Sequence, residues 1–255
     1  MNYEYSKVEK DENLWIITLN RPERMNALHS PAHFELEEIF NNFSNDSDAW
    51  VAIITGSGDR AFCAGNDLRY QAEGGKLERN PMGFAGLTSR FDLKKPVIAA
   101  VNGVAMGGGF EIAACCDLRI CGTSSRFGVP IKRLGLTMAP REIQALLQLV
   151  GRSVTMEILL EGKIFNSNEA YEKGMVNRVM PDQDVEKEAY ATAERICDGA
   201  PMVARWHKAF AEELLYKGKI SNKLNDLGYK CYDTKDFQIG YKSFLTKTKP
   251  KFKNK

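Results

Sequence analysis

Three short apolar runs constrain this chain more than any other feature. Val51-Ala52-Ile53-Ile54-Thr55 and Pro96-Val97-Ile98-Ala99-Ala100-Val101 run without polar alternation, and Leu118-Arg119-Ile120-Cys121 resembles them. A strand of this kind has no face to offer water, so it must be covered on both sides, and doubly covered strands pair in parallel. The class is therefore α/β. Leu14-Trp15-Ile16-Ile17-Thr18-Leu19 adds a strand or hairpin that stops at Asn20-Arg21-Pro22. Ser30 before Pro31 reads as a helix cap, and Phe34, Leu36, Ile39, Phe40 and Phe43 give that helix an apolar face to about Asn42. A second helix begins near Gly109. A third carries Ile143, Leu146, Leu147 and Val150 before Gly151. Ser167 is placed to cap a short helix ending at Gly174, and from Val185 onward the pattern is mostly helical. The segment from Gln71 to Gly86, rich in Gly, Glu and Lys, is long enough to be mobile or functional.

At 255 residues the chain is near the upper limit for a single core, which fits one large domain with a smaller C-terminal appendage. Lys and Arg number 35 against 33 Asp and Glu, a formal charge of +2, so nucleic acid is not held by bulk charge. The N-terminus, Met1 to Lys7, is polar with an early acid and matches neither a secretory leader nor a transit peptide, which makes a cytoplasmic protein the expectation. The longest weakly apolar stretch, Val97 to Cys116, contains Asn102, four glycines and Glu111, a poor membrane span. Cys63, Cys115, Cys116, Cys121, Cys197 and Cys231 form no CxxC pair, so reduced, buried thiols are expected.

Chemistry concentrates in Met106-Gly107-Gly108-Gly109-Phe110-Glu111. Three glycines clear the backbone where it enters a helix, letting a ligand oxygen approach the Gly108 N–H. The small residues that follow imply tight burial, where Glu111 is costly unless paired, protonated or used. The alternative is that the glycines only permit close packing and Glu111 complements the helix dipole. A second feature, Ala64-Gly65-Asn66-Asp67, can turn the chain and present the Asn66 N–H outward, with Asp67 tying down the turn. Two amides from distant loops can then converge.

Competing signals fail on context. Gly56-Ser57-Gly58-Asp59-Arg60-Ala61 formally fits a dinucleotide fingerprint, but a turn follows it rather than a helix. His29 and His33 straddle a helix start and lack a third ligand, so no metal site is expected. No Ser-His-Asp or Walker-type pattern is present.

Asn20 to Leu28, Ala64 to Leu68, Lys95 to Gly103, Gly107 to Glu111 and Gly174 to Val179 occur in the order that marks the enoyl-CoA hydratase/isomerase (crotonase) superfamily, and the chain resembles that family along nearly its whole length. Gly83-Phe84-Ala85-Gly86-Leu87-Thr88 looks like the carnitinyl-CoA/crotonobetainyl-CoA dehydratase branch. The resemblance implies a crotonase-type spiral of ββα units over residues 1–195, and a helical region over 196–255 for trimerisation and closure of the coenzyme A site. It implies a homotrimer or dimer of trimers. It implies that the Asn66 and Gly108 amides hold a thioester oxygen as it becomes an enolate. One such donor is worth about 2.7–4 kcal/mol.

Glu111 matches the first of two glutamates that position and activate water in the family's hydratases. The second is absent: Pro130 is followed by Ile131, which cannot transfer a proton. Beyond it, Met138, Arg141 and Glu142 stand where relatives carry proline and a glycine pair. Glu142 can supply the missing carboxylate from another direction and Arg141 can bind an acidic or polar acyl tail, or both simply begin a helix. The backbone at Arg24, Ala27 and Ala64 matches the part that cradles the nucleotide, and Arg24 and Arg69 can reach its phosphates. The lysine-rich tail, Lys247 to Lys255, either touches coenzyme A of a neighbouring subunit or is frayed.

The function implied is hydration or dehydration of a 2-enoyl-CoA, with the coenzyme A thioester as substrate and no permanently bound cofactor. Decarboxylation or double-bond isomerisation is the alternative within the family, and a non-catalytic acyl-CoA binder the alternative outside enzymes. RNA binding is disfavoured by the acidic first helix, Glu35 to Glu38 with Asp46 and Asp48.

Overall fold

The computed structural model describes residues 3–255; Met1 and Asn2, part of the polar N-terminal stretch, lie outside the described residues. The chain runs through β1 (Ser6–Asp11), β2 (Leu14–Leu19), α1 (Ser30–Asn45), β3 (Val51–Gly56), β4 (Ala61–Cys63), α2 (Leu68–Ala72), β5 (Val97–Val101), β6 (Val104–Met106) and α3 (Gly108–Cys115). It continues through β7 (Leu118–Gly122), β8 (Arg126–Gly128), α4 (Pro140–Met156), β9 (Ile164–Asn166), α5 (Ser167–Glu172), β10 (Arg178–Met180), α6 (Val185–Cys197), α7 (Pro201–Lys217), α8 (Asn222–Lys230) and α9 (Lys235–Thr246).

The strands form a six-stranded sheet, β1-β2-β3-β5-β7-β10, and a four-stranded sheet, β4-β6-β8-β9. Pairing is parallel except at β1–β2 and β8–β9. Successive strands β3 then β4, β5 then β6, and β7 then β8 each place one member in each sheet before a helix follows, which is the expected spiral of ββα units.

The apolar runs are covered twice, for the reason the sequence suggests. Ile54, Ala99, Val101 and Cys121 join the main core with α1 and α3, while Ile53, Ile98, Ala100 and Ile120 face the other way onto Val185, Ala189 and Ala193 of α6. Adjacent residues of a strand point to opposite faces, so each run feeds two cores at once.

Several expectations need correction. Ser30 does not cap α1. His29 occupies that position without a side-chain bond, and the helix continues to Asn45. The Ser30 hydroxyl instead donates to the Lys76 carbonyl (3.0 Å) and accepts from the Glu78 amide (2.9 Å), pinning the long loop. Asn166, in a reciprocal capping box with Glu169, caps α5, while the Ser167 hydroxyl turns to the Thr123 carbonyl. Helix α4 starts at Pro140, earlier than its periodicity suggests, and kinks at Gly151, whose φ is 70°.

With the turn that follows it, Pro140–Glu161 is long and apolar enough to cross a membrane by length and composition. All six cysteines are free, but only Cys63, Cys116 and Cys121 are buried; Cys115, Cys197 and Cys231 are half-buried. The lysine-rich tail is tied down rather than frayed. The Asp236 carboxylate accepts from the Lys253 amide, the Asp236 amide donates to the Lys255 carbonyl, and Lys249 pairs with Asp198 at 2.7 Å.

Candidate active site

Strands β4, β6 and β8 lie side by side in parallel, so their C-terminal ends open at one edge, the position at which α/β folds present ligand sites. From β4 comes Ala64-Gly65-Asn66, from β6 Gly107-Gly108, and from β8 Pro130-Ile131. The first two loops touch. A side chain on Gly65 (φ 93°) would meet the Met106 carbonyl at 2.7 Å and the Gly108 nitrogen at 3.0 Å. Among the described residues, no hydrogen bond engages the Asn66 or Gly108 amide. Asp67 fixes the turn: its carboxylate caps α2 by accepting from the Arg69 and Tyr70 amides and pairs with Arg21 at 2.8 Å. That partner and those donors hold its carboxyl below the usual range, although burial works the other way.

These loops border a cavity of about 750 Å³. Asn66, Gly108, Glu111, Ala64, Ile131, Arg141 and Glu142 all line it, so seven of the residues singled out from the sequence meet there, and Met138 joins them. Four others do not line it. Ala27 and Asp67 are buried, Arg24 is half-buried and Arg69 exposed; Arg24 is 3.9 Å from Glu73, and the Ala27 carbonyl accepts from Arg21.

Glu111, in the first turn of α3, is 9% exposed. Burial, and secondarily the charge of Glu142, pushes its carboxyl up to about 8. Glu142 occupies the first turn of α4, as the simpler expectation had it, but is also buried. Its Oε1 accepts from the Thr88 hydroxyl at 2.9 Å, and Thr88 Oγ1 accepts from the Phe84 amide at 2.8 Å. Arg141 is exposed and lays its guanidinium over the Phe91 ring, 5.4 Å from the centroid.

Sequence reasoning missed Phe84 and His33. A methyl on Gly108 would sit 2.3 Å from the Phe84 ring, so that ring closes over the glycine. His33 Nδ1 accepts from the Ala85 amide at 2.9 Å and its ring packs edge-on to Phe84 with centroids 4.4 Å apart. Burial lowers the His33 pKa to about 4, so the ring is neutral and carries its proton on Nε2. The signal was present in Gly83 to Thr88, read only as a branch marker. Exposed Leu68, Leu77, Leu134 and Leu136 ring the mouth.

The class defined by this frame is an α/β spiral that offers two unengaged amides and a buried, proton-holding carboxyl to one apolar-mouthed cavity. Residues 9–255 match the family model for enoyl-CoA hydratase/isomerase, and the chain belongs to that family. It is 35% identical over 262 residues to a crotonyl-CoA hydratase of Syntrophomonas wolfei, covering 100% of both chains. It is 42% identical over 188 residues to a carnitinyl-CoA dehydratase of Citrobacter koseri, covering 73% of this chain and 72% of that one. Among solved structures, an enoyl-CoA hydratase/carnithine racemase from Magnetospirillum magneticum superposes with a TM-score of 0.89 at 36% identity, covering 100% of this chain and 97% of that one.

Proposed function

We propose that the protein adds water to short 2-enoyl-CoA thioesters and removes it from the corresponding 3-hydroxyacyl-CoA. The observation that carries this is the placement of buried Glu111 in one cavity with the free amides of Asn66 and Gly108. The amides receive the thioester oxygen as charge collects on it, and preorganised donors in a water-poor site stabilise that charge strongly. Glu111 holds the proton that passes to or from the carbon beside the carbonyl. Coenzyme A enters across the leucine-ringed mouth past Ala64, with Arg24 and Arg69 toward its phosphates. The names of the relatives above support both the reaction and the class of substrate.

We propose further that residues 196–255 assemble three chains, or two such trimers. Tyr229, Tyr232, Tyr241, Phe244 and Leu245 are exposed along α8, α9 and the turn between them, which supports a surface covered by a second copy.

The test is to incubate the protein with crotonyl-CoA, crotonobetainyl-CoA and methylmalonyl-CoA in deuterated water. A 3-hydroxyacyl product labelled beside the carbonyl is expected, with Glu111→Gln slower by at least about 10²-fold. A shortened, deuterated thioester from methylmalonyl-CoA, without hydration of the enoyl substrates, would replace this function with decarboxylation.

A further inference from the structure

Three carboxyls line the cavity; exposed Glu78 pairs with Lys76 at 3.7 Å, whereas the two buried ones, Glu111 and Glu142, are paired with no cation among the described residues. Glu142 is 6% exposed although it lies in the first turn of a helix with an exposed neighbour, Arg141, whose charge is drawn off over Phe91. Its Oε1 is held by Thr88, but its Oε2 is buried with no hydrogen-bond partner. A buried carboxyl oxygen without a donor is destabilising, so its retention calls for a use. No cluster of three or more His, Cys, Asp or Glu forms among the described residues, which leaves the pair without the further side chains a metal site would need. Its electrostatic partner is Glu111. Burial first, and then the negative charge of Glu142, oppose ionisation of Glu111 and favour its protonated form. The β8 exit, by contrast, delivers the apolar Ile131 against Gly107.

We propose that Glu142 is the second catalytic carboxyl, contributed by α4, with Thr88 as its positioning residue. The assignment rests on the hydratase function above. In hydration, the Glu142 carboxylate takes a proton from the attacking water as its oxygen bonds to the β-carbon and the double-bond pair moves toward the thioester. The resulting enolate collapses by taking the proton of Glu111 at the α-carbon. Glu142 then holds one proton and Glu111 none, and transfer from the first to the second restores the starting state. Dehydration runs through the same steps backward.

The test separates the two carboxyls by reaction. Exchange of the α-protons of butyryl-CoA in deuterated water needs the amides and Glu111 but no water addition. Glu142→Gln keeps the size of the side chain and an oxygen for the Thr88 hydroxyl. It should lower the kcat for crotonyl-CoA hydration by about 10²-fold or more, while exchange stays within about threefold of the parent. Parental hydration in this variant, or parallel loss of both reactions, overturns the assignment. Absence of both reactions in the unaltered protein overturns the acyl-CoA function and the assignment with it.

Discussion

At the scale of single residues, the abnormal proton affinity of Glu111 has consequences for stability as well as catalysis. Its folded value of about 8 is above the ordinary 4.5, so between those limits the folded chain binds more protons than the unfolded one. Stability therefore falls as pH rises across that window and levels off above it. Glu111→Gln should melt at a higher temperature than the parent at pH 9 and at nearly the same temperature near pH 4, as calorimetry would record. Equal melting at pH 9 would mean that the carboxyl ionises without strain. The parent's hydration rate should also decline as pH rises through about 8, where Glu111 loses its proton. Glu111 was legible in the sequence because a lone acid among glycines and alanines has few innocent explanations. Glu142 was legible only as one of two options. Its burial depends on the Thr88 hydroxyl 54 positions away, and no local pattern encodes that pairing.

At the scale of elements, the entry to α3 is where backbone crowding decides what is tolerated. A methyl on Gly109 would sit 1.9 Å from the Cys63 carbonyl oxygen, part of a strand end that cannot retreat, whereas one on Gly108 would meet only the far edge of the Phe84 ring. Gly109→Ala should therefore cost at least about 1–3 kcal/mol in chemical denaturation. Gly108→Ala should melt close to the parent but raise KM, because the displaced ring enters the cavity. Helix α1 has an unadvertised task. Ser30 and His33 fasten the loop that carries Phe84, and the sequence pattern of a serine before a proline pointed to capping instead. The two roles use the same hydroxyl, and only tertiary contact chooses between them. Ser30→Ala should leave activity measurable but speed limited proteolysis within residues 73–83.

At the scale of the whole molecule, the parallel sheet and its two cores followed directly from uninterrupted apolar runs, and the spiral from family resemblance. The division at residues 195 and 196 is a proposal of a different kind, because helices α7 to α9 bury little within one chain. Among them Pro201, Ala209 and Asp236 are buried. Tyr241→Ser with Phe244→Ser should break the assembly, shifting sedimentation from a trimer or hexamer to a monomer; an unaltered parent that sediments as a monomer would remove the proposal. The strand ends, finally, supply peptide N–H donors, which every residue except proline possesses. Drift at Asn66 thus leaves its donor intact, while the acids remain exchangeable fittings. A lineage on this frame can alter its chemistry by moving one carboxyl from a strand exit to a neighbouring helix, without rebuilding the socket that steadies the charge.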